Sequence, residues 1–151
     1  MNVVVLETDE YKNLKGYCFL SCRTIYVVIN AFLTEEEKRI VAAHELGHII
    51  LHKKLLQFAP MQDMMLYNHS DSTEYEANLF AADLLLVDED IEKTTSFEDY
   101  NYFDLCSSLY TSPELMSFKL YSMIKRGYSQ YHMPLEINAC FLKNKKNAGS
   151  V

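Results

Sequence analysis

The sequence predicts an α+β fold: a small antiparallel or mixed sheet packed on a helix pair, followed by a helical C-terminal segment. Three observations carry that expectation. The chain opens with two runs rich in β-branched and aromatic residues, MNVVVLET and GYCFLSCRTIYVVINAF. A stretch of helical periodicity follows, TEEEKRIVAAHELGHIILHKK, and a second, STEYEANLFAADLLL, comes after a short irregular segment. The last third repeats the helical pattern around Pro113.

The elements follow in order. Val3–Leu6, Gly16–Ser21 and Thr24–Ile29 read as strands, with a tight hairpin at Cys22–Arg23. Thr34 is the expected N-cap of the first helix, and Glu37 three residues on completes a capping box. Glu35, Glu36 and Glu37 sit near the positive end of its dipole, Lys53 and Lys54 near the negative end. Residues 55–71 read as a surface loop with one short helical turn at most. A second helix is expected over Ser70–Val87, with Tyr75, Leu79, Ala82 and Leu86 as its apolar stripe. Phe97–Leu109 and Pro113–Lys125 read as two more helices, Pro113 suiting a first turn.

A length of 151 residues suits one domain. The expected domain spans 1–142, with the two histidine- and glutamate-bearing helices in 34–87, a helical segment at 97–126 and a flexible tail at 143–151. The net charge of −7 disfavours nucleic acid and anionic membrane surfaces as partners. No apolar run reaches membrane-spanning length and no signal peptide opens the chain, so a cytoplasmic protein is expected. The four cysteines include no CxxC pair, which argues against a cysteine zinc site. Cys18 and Cys22, at even spacing, are expected on one strand face.

The segment HELGH, residues 44–48, carries the chemistry. On a helix, residues four apart lie about 6 Å along the axis and about 40° around it. His44 and His48 can therefore aim both imidazoles at one point, as a zinc ion requires. Glu45, turned roughly 100° from His44, can approach a water at that ion without binding the metal. That is the arrangement of a hydrolase with glutamate as general base. The bland alternative is a pair of ordinary helix histidines.

A catalytic zinc site takes three protein ligands and keeps one open position. Glu74, on the next helix, can complete a His–His–Glu set. Asn78 lies one turn later on the same face and can orient Glu74 or an imidazole through a hydrogen bond. Ala77, Ala81 and Ala82 are small enough to bring this helix close to Gly47. Glu76 is the rival carboxylate; it faces elsewhere and reads as a solvated side chain.

HELGHIILH followed by EYEANLFAADLLL resembles the ImmA/IrrE family of zinc metallopeptidases, gluzincin-like proteins of bacteria and phages. The resemblance covers roughly Gly16 to Val87. It implies one Zn²⁺ per chain on His44, His48 and Glu74, with Glu45 as catalytic base. It also implies endopeptidase cleavage of a helix-turn-helix transcriptional repressor of a phage, mobile element or stress response. LLLVDED stands where the family commonly ends this helix in Leu-Met-Pro. The alternative is a non-cleaving protein- or DNA-binding regulatory module on the same fold.

His52, eight residues after His44, lies beyond ligand reach and reads as structural. His69 or Tyr67, in the loop expected to border the cleft, can stabilise an oxyanion. Tyr26, Val27 and Val28 can align a substrate strand if Thr24–Ile29 forms the sheet edge. LCSSLYTSPELMSFKLYSMIKR is spaced like a helix-turn-helix, but Lys119, Lys125 and Arg126 are its only basic residues, so direct nucleic-acid binding is not expected.

Overall fold

The computed structural model describes residues 2–57, 61–63, 72–96 and 101–133. The chain divides into two compact units, Met1–Leu85 and Leu86–Val151.

The first unit holds strands β1 (Asn2–Thr8), β2 (Gly16–Ser21), β3 (Thr24–Asn30) and β4 (Met61–Asp63), and helices α1 (Glu35–Leu51) and α2 (Ser72–Leu85). The sheet is mixed, in the order β1-β3-β2-β4. β1 runs parallel to β3, with Val3 opposite Ile25, while β2 lies antiparallel to both β3 and β4. Cys22 and Arg23 form the two-residue turn between β2 and β3, both at positive φ (47° and 65°), as a tight hairpin demands. Cys22 therefore leaves the strand, and the expected shared face with Cys18 is lost.

The structure corrects the assignment of Tyr26, Val27 and Val28 to a substrate-aligning edge. β3 is paired along both sides, by β1 and by β2, so its main-chain groups are already used and cannot receive another strand. Val27, Val28 and Ile29 are consecutive buried residues, and burial on both faces marks a central strand rather than a half-exposed one.

Thr34 caps α1 as expected: Glu37 N–H donates to Thr34 Oγ1 at 3.2 Å, and Thr34 N–H donates to Glu37 Oε2 at 3.0 Å. The helix buries Val41 and Ile49 in a core with Cys18, Ile25, Val27, Ile29 and Leu56. Gly16 makes this contact possible, because a Cβ there would lie 2.4 Å from Val41 Cγ1. Beyond α1, a 3-10 turn at Leu55–Gln57 and β4 occupy part of the expected loop. β4 was missed because MQD contains no β-branched or aromatic residue.

The second unit contains α3 (Asp88–Thr95), α4 (Tyr102–Ser108) and α5 (Pro113–Lys125). The expected helix over Ser70–Val87 ends at Leu85, and a separate helix begins at Asp88. The overlooked signal is the run Asp88, Glu89, Asp90, three acids in a first turn that complement the helix dipole. Residues 97–100 lie outside the described residues; the expected helix there is described from Tyr102. Ser112 caps α5, accepting from Leu115 N–H at 3.2 Å, with Pro113 in the first turn. Within this unit Asp88 receives Lys119 Nζ at 2.6 Å and Arg126 Nη2 at 2.8 Å. Lys119 is almost wholly buried, and Lys125 stands 5.4 Å over the Tyr121 ring. The basic side chains of the helix-turn-helix-like segment are thus engaged internally. Among the described residues no helix is long and apolar enough to cross a membrane.

Candidate metal centre

The HELGH segment lies in the buried half of α1: His44, Glu45 and His48 are each almost fully enclosed. Four-residue spacing brings the imidazoles edge to face, with ring centroids 4.6 Å apart and Nε2 atoms 3.0 Å apart. α2 crosses close to this face. A Cβ on Gly47 would lie 3.1 Å from Ala77 Cα and 3.2 Å from Ala77 O, so glycine there is what lets the helices meet. That approach delivers Glu74, whose Oε2 lies 3.2 Å from His44 Nε2 and whose Oε1 lies 3.3 Å from His48 Nε2.

These side chains fit a metal ion. Their ligand atoms all lie within 4.8 Å of one another. A tetrahedral zinc with bonds of about 2.0–2.1 Å separates its ligand atoms by about 3.3 Å, which the three contacts match to within a few tenths of an ångström. The protonation pattern agrees. Asn78 Oδ1 accepts from His44 Nδ1 at 2.9 Å, which leaves the His44 Nε2 lone pair directed at the centre. The Nε2 atoms of His44 and His48 face each other at hydrogen-bond distance, an arrangement that a proton or a cation would bridge.

Electrostatics reinforce the geometry. Burial opposes ionisation of Glu74, but the facing imidazoles of His44 and His48 outweigh it and hold the carboxyl at about 2. Glu74 is therefore a carboxylate at any physiological pH, as a ligand must be. Glu45 sits on the other side, over the sheet: its Oε1 is 3.4 Å from where a Gly16 Cβ would stand. Cys18 adjoins it. Burial, then the charge and hydrogen bonding of Glu45, push the Cys18 thiol far above its ordinary pKa, so it stays neutral beside the carboxylate. Sequence reasoning passed over Gly16 and Cys18 as site residues. The usable signal was a glycine inside a strand, which marks a close approach by another element.

Glu76, two residues from Glu74, is more than half exposed and stands 3.7 Å from His52 Nε2. His52 itself turns away from the centre, its Nε2 3.1 Å from the Thr73 carbonyl. Tyr67 and His69, the candidate oxyanion stabilisers, lie outside the described residues.

The Peptidase M78 family model, described as an IrrE N-terminal-like domain, matches residues 1–121. The chain is 35% identical over 88 residues to a Bacillus phage phi105 protein named "Uncharacterized immunity region protein 2", covering 58% of this chain and 54% of that one. It is 39% identical over 54 residues to Metallopeptidase ImmA of Bacillus subtilis (strain 168), covering 36% of this chain and 31% of that protein. The chain thus spans about half or less of the length of these curated relatives. The match over residues 1–121 places the chain in the IrrE N-terminal-like family.

Proposed function

We propose that this member of the IrrE N-terminal-like family is a zinc-dependent endopeptidase that cleaves a helix-turn-helix transcriptional repressor of a phage or mobile element. The observation that carries the catalytic half is the convergence of His44 Nε2, His48 Nε2 and the Glu74 carboxylate within 3.0–3.3 Å. Support for the substrate comes from the immunity-region name of the phage relative and the peptidase name of the bacterial one.

In this reading His44, His48 and Glu74 hold the ion, and Asn78 keeps His44 in the tautomer whose Nε2 can bind it. A zinc ion there supplies Lewis acidity, lowering the pKa of water and polarising the scissile carbonyl. Glu45 takes a proton from the attacking water as the carbon–oxygen bond forms, and delivers it to the amine as the carbon–nitrogen bond breaks. Its burial keeps bulk water from competing for the position beside the ion.

The test is incubation of the purified chain with helix-turn-helix repressors from the genome that encodes it. Cleavage is expected with zinc, is lost on chelation and returns when zinc is restored. An intact repressor that co-purifies with the zinc-loaded chain and is never cut would instead identify a non-cleaving regulatory module.

A further inference from the structure

We propose that His52 is a positioning residue for the third metal ligand: its Nε2–H, donated to the Thr73 carbonyl, fixes the start of α2 so that Glu74 reaches the two imidazoles. The inference rests on the metal centre above and goes beyond it, since His52 is not a ligand.

His52 stands at a junction. It is the C-cap of α1, its backbone N–H donating to His48 O at 2.9 Å, and its own carbonyl accepts from Leu55 N–H at 2.8 Å to begin the 3-10 turn. Its ring is buried, 5.5 Å from the ring of His48. From there Nε2 reaches across to α2, 3.1 Å from the carbonyl oxygen of Thr73, the residue before Glu74. A carbonyl can only accept, so the proton sits on Nε2. The Glu76 carboxylate, 3.7 Å from the same nitrogen, favours it there as well.

Beside the bond from His44 Nδ1–H to Asn78 Oδ1, two further contacts hold α2 against α1, and they do different things. Gly47 against Ala77 sets how close the helices come. Contact between small apolar residues leaves rotation and sliding of α2 about that point less constrained. The His44–Asn78 bond limits that freedom one turn beyond Glu74, and the directional bond from His52 limits it one residue before Glu74. A small slip at Thr73 would carry the Glu74 carboxylate out of the 3.2–3.3 Å contacts. Partners of this kind, outside the ligand set, typically change metal affinity by about 10–100-fold when removed. A purely space-filling role would be served as well by a hydrocarbon, without the cost of burying imidazole nitrogens.

The experiment compares zinc affinity, by chelator competition, in the full chain with His52→Phe and His52→Gln. Phenylalanine keeps the bulk and loses the donor; glutamine keeps a terminal N–H. His52→Phe is expected to bind zinc about tenfold or more weakly and His52→Gln within about threefold of the parent. Metal-free melting temperatures will show whether the fold is retained. Equal affinity in His52→Phe and the parent, or equal weakening in both variants, would overturn the proposal. Should His52→Phe not fold, the unaltered protein still decides. Nitrogen-15 spectra should show His52 protonated on Nε2, before and after zinc addition, and protonation on Nδ1 would refute the assignment. A parent chain that binds no zinc sinks the metal centre itself, whereas parental affinity in His52→Phe sinks only the role of His52.

Discussion

Each compact unit hides ionisable side chains, and the two do so in opposite ways. In Leu86–Val151, Asp88 is met by a buried lysine and an arginine of the same unit, Lys119 at 2.6 Å and Arg126 at 2.8 Å. In Met1–Leu85, the groups that face Glu74 are imidazoles, whose nitrogens are themselves lone-pair donors unless protonated. The first cluster pairs the carboxylate with cations at salt-bridge distance and acts as a fastener. The second collects acceptors around a point that a divalent cation would occupy. Buried charge alone does not mark a functional site; what distinguishes one is that its protein partners leave the balance open.

Substitutions can break this contrast. The largest effect is expected from Glu45→Gln, which should cut repressor cleavage by about 10²–10⁴-fold while zinc affinity stays near that of the parent. Activity assays paired with metal analysis read both. Loss of metal together with activity would assign Glu45 to binding instead.

Asp88→Ala should do the reverse. It removes the carboxylate that meets the buried Lys119 at 2.6 Å, and breaking a buried pair costs about 3 kcal/mol, measurable as a lower denaturant midpoint. Zinc affinity of the folded fraction should not change. A variant that unfolds no more readily than the parent would show that the ion pair is not a fastener.

Gly47→Ala tests the helix approach on which Glu74 depends. Alanine is the better helix former by about 1 kcal/mol, but its methyl meets Ala77 Cα at 3.1 Å, an overpacking that costs about 2 kcal/mol. A net loss of about 1 kcal/mol follows, with zinc bound several-fold more weakly. Unchanged affinity would mean that α2 tolerates displacement.

The smallest effect is a matter of pH. Hydrogen bonding from Arg126, opposed by burial and reinforced by Lys119, holds Asp88 well below the usual carboxylate range. Its folded pKa is thus lower than its unfolded value of about 3.9. The stability it contributes is complete above that value and is lost as pH falls through the folded pKa. Acid unfolding below about pH 4 should accordingly be shallower in Asp88→Asn than in the parent. Parallel curves would remove Asp88 from the account.

The same contrast explains what was legible in the sequence. HELGH reads directly, because spacing on one helix fixes geometry without knowledge of the rest. Glu74 reads through Asn78 and the alanines, which show which face of α2 turns inward. Pairing between distant strands is written less locally. The alternation in Ile25, Val27 and Ile29 reports burial and says nothing of neighbours, so it leaves open whether β3 is an edge or a central strand. The distance of His52 from His44 along α1 excludes it as a ligand and points to a structural role. Its bond to Thr73 joins residues 21 apart, which no periodicity reveals. The Asp88 fastener spans from α3 to α5 and is hidden for the same reason.

The most direct test of the centre is metal content after exposure to zinc and removal of the excess, measured on the parent, Glu74→Ala and Glu76→Ala. A single tightly held equivalent in the parent, retained by Glu76→Ala and lost or greatly weakened in Glu74→Ala, is the predicted result. Zinc retained undiminished by Glu74→Ala, or none held by the parent, would contradict it.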